Sequence, residues 1–412
     1  MDTITTSTTA NRRLPKSVRP GSQSMGVAKL ASLAACLVFS ALSLGNGIDR
    51  QAATSPRLAD RVPALFADQA LIARGEAELN SGRLVAAYED GVDAVRRSPV
   101  DPSSSALLAS ARLGLNDPAG AQRAFRVAGQ MGWRVPLTQA YWMQQAIAAG
   151  NLTVAATRMD ALLRQHPWVL GQPGILAPLE NNPAGRAAIA GTLMAAPTWL
   201  SSYAFNVDGL SAEVISQRAQ VLGLLAARGV RVGCDMAAPP TTRLVDTGRI
   251  AEAQALWRSQ CPEAGTAIPA DPDFAYLRIS GARSYFEWDL LGSADVGVVI
   301  VPASKAPAQQ LEIHNGSPFT RQVLNQLIAP APGRYRLSWL AATAEGKASN
   351  QALVELGCRQ GPAQRLVPTA VGALWHADIE IGGDCPVHML KISVLPGPDN
   401  LLLGSIRLDP EA

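Results

Sequence analysis

Histidine, lysine and aromatic residues are scarce in this chain. Its 412 residues hold four histidines, His166, His314, His376 and His388, and aromatic side chains make up only 5% of the total. His166 stands just before Pro167 at a break in the pattern, and the other three share no spacing. Metal-ligand motifs are missing too: there is no C-x-x-C knuckle and no histidine at ligand spacing. No G-x-S-x-G elbow, H-E-x-x-H helix, phosphate loop or G-x-G-x-x-G fingerprint occurs. These absences remove the commonest hydrolase, metalloprotease, nucleotide-dependent and dinucleotide-dependent classes. A non-enzyme without cofactor or metal is therefore expected.

Basic charge is concentrated at one end. Arg12, Arg13, Lys16, Arg19 and Lys29 stand against Asp2 alone in residues 1–29, while the whole chain carries only +3. The remainder is close to neutral and gives no electrostatic reason to expect nucleic acid. Residues 1–25 are Thr-, Ser- and Arg-rich without periodicity, as in a disordered tail. The uncharged run at 30–44 (LASLAACLVFSALSL) follows that tail. Extended over 26–48 it reads as a spanning signal-anchor. A cleaved secretory signal has a similar apolar core and is the alternative. Both readings keep the basic tail cytoplasmic and export the rest. The expected location is thus the inner membrane, single-pass with a periplasmic bulk, or secretion after cleavage.

Cysteine usage agrees with export. Cys36 lies in the apolar run, and Cys234, Cys261, Cys358 and Cys385 form an even set. Four cysteines allow three pairings. Proximity in sequence favours the disulfides Cys234–Cys261 and Cys358–Cys385; unpaired buried thiols and a metal site are the alternatives.

Three copies of one pattern follow in phase. LNSGRLVAAY starts at Leu79, LGLNDPAGAQ at Leu113 and IAAGNLTVAA at Ile147, each 34 residues after the last. Gly82, Asn116 and Gly150 keep the same interval, as do Ala87, Ala121 and Ala155. Such a period belongs to stacked helix–turn–helix units, none of which can bury its apolar face alone. A mostly helical domain is expected over 63–262.

In these residues the chain resembles the tetratricopeptide repeat family. Gly75, Gly82, Ala87, Ala94 and Pro99 fall at the family's small-residue and closing-proline positions in the first copy. Ala109, Ala121, Phe125 and Ala128 do so in the second, and Leu152, Ala155 and Pro167 in the third. Val245, Gly248, Ile250, Ala253 and Trp257 fit a further copy. Trp133 replaces a closing proline, Met143 takes a small-residue position, and 168–240 fit poorly. The resemblance implies an α-solenoid that presents a groove to peptides or partner proteins, here an envelope protein.

Residues 263–273 read as a proline-broken linker, and beyond them the period changes to alternation. FAYLRIS, YFEWDLL, VGVVIVP, QQLEIHN, RQVLNQLI, RYRLSWLAA, QALVELGCR, HADIEIGG, VHMLKISVL and LLGSIRLD are separated by turn-forming residues. Many short strands at this spacing argue for an all-β sandwich or jelly roll over 274–412. In GRYRLSW, Tyr335, Leu337 and Trp339 face one way and Arg334 and Arg336 the other. The expected architecture is therefore multidomain, α then all-β: a transmembrane anchor, a repeat solenoid and a C-terminal sandwich. In pattern the last domain resembles galactose-binding and carbohydrate-binding-module jelly rolls.

That resemblance implies polysaccharide contact through aromatic and polar rims. Tyr276, Tyr285, Phe319 and Trp375 are the available rings, with Trp288 or Trp339 as further candidates; Tyr285 and Trp375 stand beside turns and are hence the rim candidates. Phe286, Trp288, Tyr335 and Trp339 alternate with charged residues and are expected in the core. Glu287 and Asp289, like Asp378 and Glu380, share a strand face, as hydrolase carboxylates can; a solvated face has the same pattern. The expected role is a membrane-anchored periplasmic scaffold in exopolysaccharide export or envelope assembly. A carbohydrate-active hydrolase and a glycan-blind adaptor are the rival expectations. A reporter that works only outside the cytoplasm, fused after residue 60, should be active; activity of a cytoplasm-only reporter at that point would reverse the topology.

Overall fold

The computed structural model describes residues 22–172, 174–303 and 308–411. Most of the basic tail lies outside the described residues. Two compact units divide near Leu137.

The first unit opens with α1 (Ser22–Ala52) and the single-turn α2 (Pro56–Ala59). Residues 29–52 form a helix long and apolar enough to cross a membrane. Its last turns are tied down. The buried Asp49 carboxylate accepts from the N–H groups of Gln69 (3.0 Å) and Ala70 (2.8 Å) at the start of α3 (Gln69–Asn80). The first N–H groups of a helix lack intrahelical partners and favour negative charge. Asp49 supplies both needs from 20 residues upstream, because Asp68 makes no side-chain cap.

The repeat phase appears as helix hairpins. After α3 come α4 (Leu84–Arg97), α5 (Pro102–Gly114) and α6 (Pro118–Met131). Gly82 and Asn116 turn the chain with φ of 76° and 62°, a region that glycine and asparagine enter at least cost. Asp101 and Asp117 cap α5 and α6 through the N–H groups of Ser103 and Gly120, both at 2.8 Å. Pro102 and Pro118 then occupy first helical positions, where no N–H is missed. Ala87 and Ala121 are completely buried, and Gly91 lets α4 approach the backbone of Leu108 on α5.

The second unit begins in α7 (Pro136–Ala148), which turns at Gly150 into α8 (Leu152–Gln165). Ala155, third in the 34-residue series, is also fully buried. Three shorter helices follow, α9 (Ala177–Glu180), α10 (Pro183–Leu193) and α11 (Leu200–Phe205), and then the longer α12 (Ala212–Ala227). A buried ion pair holds them together. Arg218 donates to Glu180 (3.0 Å) and to the Leu170 carbonyl (3.0 Å), and lies over the Tyr203 ring. A last hairpin, α13 (Cys234–Asp246) and α14 (Ile250–Gln260), turns at Gly248.

Two antiparallel sheets complete this unit. The strands are β1 (Asp289–Leu290), β2 (Val296–Pro302), β3 (Gln309–Asn315), β4 (Arg321–Ile328), β5 (Gly333–Thr343), β6 (Ala352–Cys358), β7 (Ala363–Arg365), β8 (Thr369–Val371), β9 (Leu374–Ile381), β10 (His388–Val394) and β11 (Leu401–Pro410). One sheet has the order β1-β4-β10-β6-β7 and the other β2-β3-β11-β5-β9-β8. From β3 to β6, successive strands alternate between sheets, and so do β9, β10 and β11. The core between them includes Leu311, Val323, Leu337, Trp339, Leu390 and Leu403.

Two expected strands take another form. FAYLRIS forms turns, and of YFEWDLL only Asp289 and Leu290 pair, with β4. Phe274 has a φ of 52°, and the Asp271 carboxylate accepts from the Tyr276 N–H, so this backbone finds partners without a ladder. Phe286 and Trp288 are both buried, as alternation requires, yet in different cores. Trp288 joins Phe274 in the sandwich, while Phe286 packs with Trp257 of α14, ring centroids 5.9 Å apart.

Residues 263–273 run between those cores and bond to the sheets. Leu408 donates to the Ile268 carbonyl (2.6 Å), Ile406 to Pro272 (2.9 Å) and Gln309 to Asp273 (2.8 Å). Limited proteolysis of the folded protein should therefore spare 263–273. Trp257→Ala should cost about 3–5 kcal/mol, the usual loss for a buried aromatic. Urea unfolding followed by separate helical and sheet signals should show one transition; two separated transitions would mean that the packing couples nothing.

Candidate functional site

The rings and cysteines singled out in the sequence occupy different parts of the second unit. Trp375 stands opposite Trp339 in the β5–β9 register, so it faces inward and packs on the sandwich core. Its indole N–H donates to the Ala341 carbonyl at 3.2 Å. Tyr285 packs instead against the core of the helices, with the Arg359 guanidinium 4.4 Å from its ring centroid. Arg359 also donates to Asp246 on α13 at 2.6 Å, so this ring helps to join helices and sandwich. Cys234 pairs with Cys261 and Cys358 with Cys385, with Cα separations of 5.2 and 5.8 Å. Phe319 is exposed beside Arg321.

Three of the four strand-face carboxylates, Glu287, Asp289 and Asp378, are held by arginines. Arg336 donates to Asp378 (2.7 Å) and Glu411 (2.9 Å), and Arg283 to Asp289 (2.9 Å). Hydrogen bonding to Arg336 keeps the Asp378 carboxyl below its ordinary pKa.

A cleft of about 200 Å³ opens beside α13 and α14 against the turns that precede β1. Its lining includes Trp257, Asp271, Tyr276, Arg278, Phe286, Glu287, Trp288 and Gln326. Sequence alternation places two of these rings, Phe286 and Trp288, inside, but it cannot show that two cores meet there. Arg278 organises the polar side. It donates to Glu287 through Nε (3.0 Å) and Nη2 (2.6 Å), to the Ala282 carbonyl (2.7 Å) and to Asp235 of α13. Glu287 also accepts from the Ser284 N–H at 2.8 Å. Tyr276 is 52% exposed and offers its ring to solvent.

Two buried polar atoms in residues of the wall have no hydrogen-bond partner among the described residues: Trp257 Nε1, a donor, and Gln326 Oε1, an acceptor. Gln326 spends its amide on the Ala270 carbonyl at 3.1 Å. Buried polar groups without partners are costly. Burial raises the Asp271 carboxyl pKa, opposed by the backbone N–H groups of Tyr276 and Ala275.

A second cluster brings together Cys358, Cys385 and His388, whose ligand atoms lie within 4.8 Å of one another. Cys385 and His388 are three residues apart, a ligand spacing that attention to cysteine pairs alone passes over.

No family model and no curated protein matches the chain. Among solved structures, TmCBM61 in complex with beta-1,4-galactotriose is 16% identical over 34% of this chain and 96% of its own, with a TM-score of 0.25. A CBM4 structure is 15% identical over 30% of this chain and 87% of its own, with a TM-score of 0.23. The enzymatically active domain of tailspike protein 4 from bacteriophage CBA120 is 12% identical, with a TM-score of 0.25. That match covers 34% of this chain and 21% of the tailspike chain.

The raised carboxyl of Asp271 gives a pH test. A folded-state pKa above the unfolded value contributes stability at low pH and loses it as pH rises through the folded pKa. Asp271→Asn is neutral at every pH. Its melting temperature relative to wild type should therefore be higher near pH 7 than near pH 4. A difference that does not change with pH would show that Asp271 has no such role.

Proposed function

We propose that this protein is a membrane-attached, extracytoplasmic scaffold that binds glycan in the cleft beside α14. The observation that carries the reading is the cleft's make-up. Aromatic rings line it, with Tyr276 half open to solvent, and Arg278 fixes its charged side beside Glu287 and Asp271. Sugars present apolar ring faces and hydroxyls together, and small-molecule sites combine apolar walls with a few placed polar groups. The sheet-to-sheet alternation is that of a jelly roll, an architecture also used by lectin domains; fold alone does not assign function.

The helix hairpins are read as tetratricopeptide-like repeats that hold an envelope protein. The apolar part of α1 is the inner-membrane anchor, with a secretory signal as the alternative. Two disulfides favour an oxidising compartment, here the periplasm, and the process is exopolysaccharide export or envelope assembly.

The direct test is calorimetric titration of the full chain, in detergent, with β-linked galactan and glucan oligosaccharides. Binding should be saturable. Tyr276→Ala should weaken it about tenfold, or about 1.4 kcal/mol, while the melting temperature stays put. No heat with any oligosaccharide, or equal binding by the variant, would remove the cleft as a glycan site.

One observation favours a second reading, hydrolysis. Asp271, its pKa raised, and Glu287, an arginine-held carboxylate, line the same cleft. Two carboxyl groups across one site are how glycosidases divide acid and base roles. Reducing ends released by the wild type and lost in Asp271→Asn would establish this reading over simple binding.

A further inference from the structure

We propose that Cys358, Cys385 and His388 form a zinc site when the Cys358–Cys385 disulfide is reduced. Strand register brings the three together. In the β6–β10 pair His388 stands directly opposite Cys358. Opposed residues of an antiparallel pair project to the same face. Cys385 arrives on the loop three residues before His388, and the three ligand atoms lie within 4.8 Å of one another.

The histidine supplies the second observation. His388 is only 7% exposed, and its Nδ1 has no hydrogen-bond partner among the described residues. A disulfide needs no such neighbour. A buried imidazole beside two sulfurs, with a ring nitrogen still unpartnered, is what two thiolates and a zinc ion would use. Zinc takes Cys sulfur at about 2.3 Å and His nitrogen at about 2.0 Å in tetrahedral geometry. Three protein ligands leave the fourth position to water.

The two states exclude each other. A dithiol gives two electrons and two protons to the Cys358–Cys385 bond, forming two thiols and becoming a disulfide itself. Zn²⁺ then binds both sulfurs and releases their two protons. Reoxidation requires the metal to leave first. Cys358 is followed by Arg359, the side chain that reaches Asp246 on α13.

The test uses the full chain in detergent, reduced with dithiothreitol and desalted without oxygen. Co²⁺ serves as the spectroscopic probe. One Co²⁺ per chain should bind with thiolate-to-cobalt charge-transfer absorption, and Zn²⁺ should displace it. The oxidised chain should show none. Cys358→Ser should abolish the absorption, His388→Gln should weaken binding at least tenfold, and Cys234→Ser/Cys261→Ser should retain the site. If reduction unfolds the chain, restoration of its circular dichroism by Zn²⁺, but not in Cys358→Ser, supports the proposal. Failure of Zn²⁺ to restore it overturns the proposal. So does a folded, reduced chain without the absorption, or one whose binding survives His388→Gln or Cys358→Ser unchanged.

Discussion

The second unit depends on the packing of Trp257 against Phe286. Trp257 closes the α13–α14 hairpin, and Phe286 lies in the turns that lead into β1. Leu327 of β4 and Val387, just before β10, join the same core as Leu244, Val245 and Leu256 from the helices. Helices and sandwich thus share apolar surface that neither could leave in water without loss. The contact also sets what surrounds it. Arg359 spans from Tyr285 to Asp246, Arg278 from Glu287 to Asp235, and the cleft forms where both sides remain apart. Binding in the cleft would therefore register on helices and sandwich at once.

Electrostatics divides the charged residues into two groups. Arg336, Asp378 and Glu411 form an exposed cluster, where water screens each pair and little stability is gained. Arg218 and Glu180 are almost wholly buried, and the arginine's further bond to Leu170 satisfies another donor. Removing either partner leaves an uncompensated charge inside, a loss much larger than the pair's net benefit. Neutral groups bear a smaller cost: Gln326 and Trp257, like Trp339 and His388, each keep one buried polar atom without a partner among the described residues.

Much of this architecture was legible in the residues. A 34-residue phase of small and turn-forming residues reports local geometry, and Gly82, Asn116 and Gly150 do turn the chain. Alternation in GRYRLSW reports a strand with one buried face, and Tyr335, Leu337 and Trp339 are buried. Cysteine pairing also followed, since short loops close most readily. What escaped is non-local. FAYLRIS has strand composition, but Asp271 and the ring of Phe274 anchor it in turns. Nothing in the sequence tells Phe286 from Trp288, although they enter different cores. The cleft arises from contacts between segments tens of residues apart, so only Tyr276 and Trp288 among its aromatic rings were named as sugar-binding candidates in advance. His388 meets Cys358 through strand register, which no sequence spacing reveals.

Asp49 carries a mechanical consequence. Its carboxylate grips the first N–H groups of α3 from the last turns of α1, across the intervening short segment. A chain attached to a bilayer by a loose tether samples many orientations above the surface. On the proposal that α1 is the anchor, its bonds to α3 would prevent such swivelling, and any tilt of α1 within lipid would be passed on to the first hairpin, so the bilayer's thickness would help to set where the hairpin points.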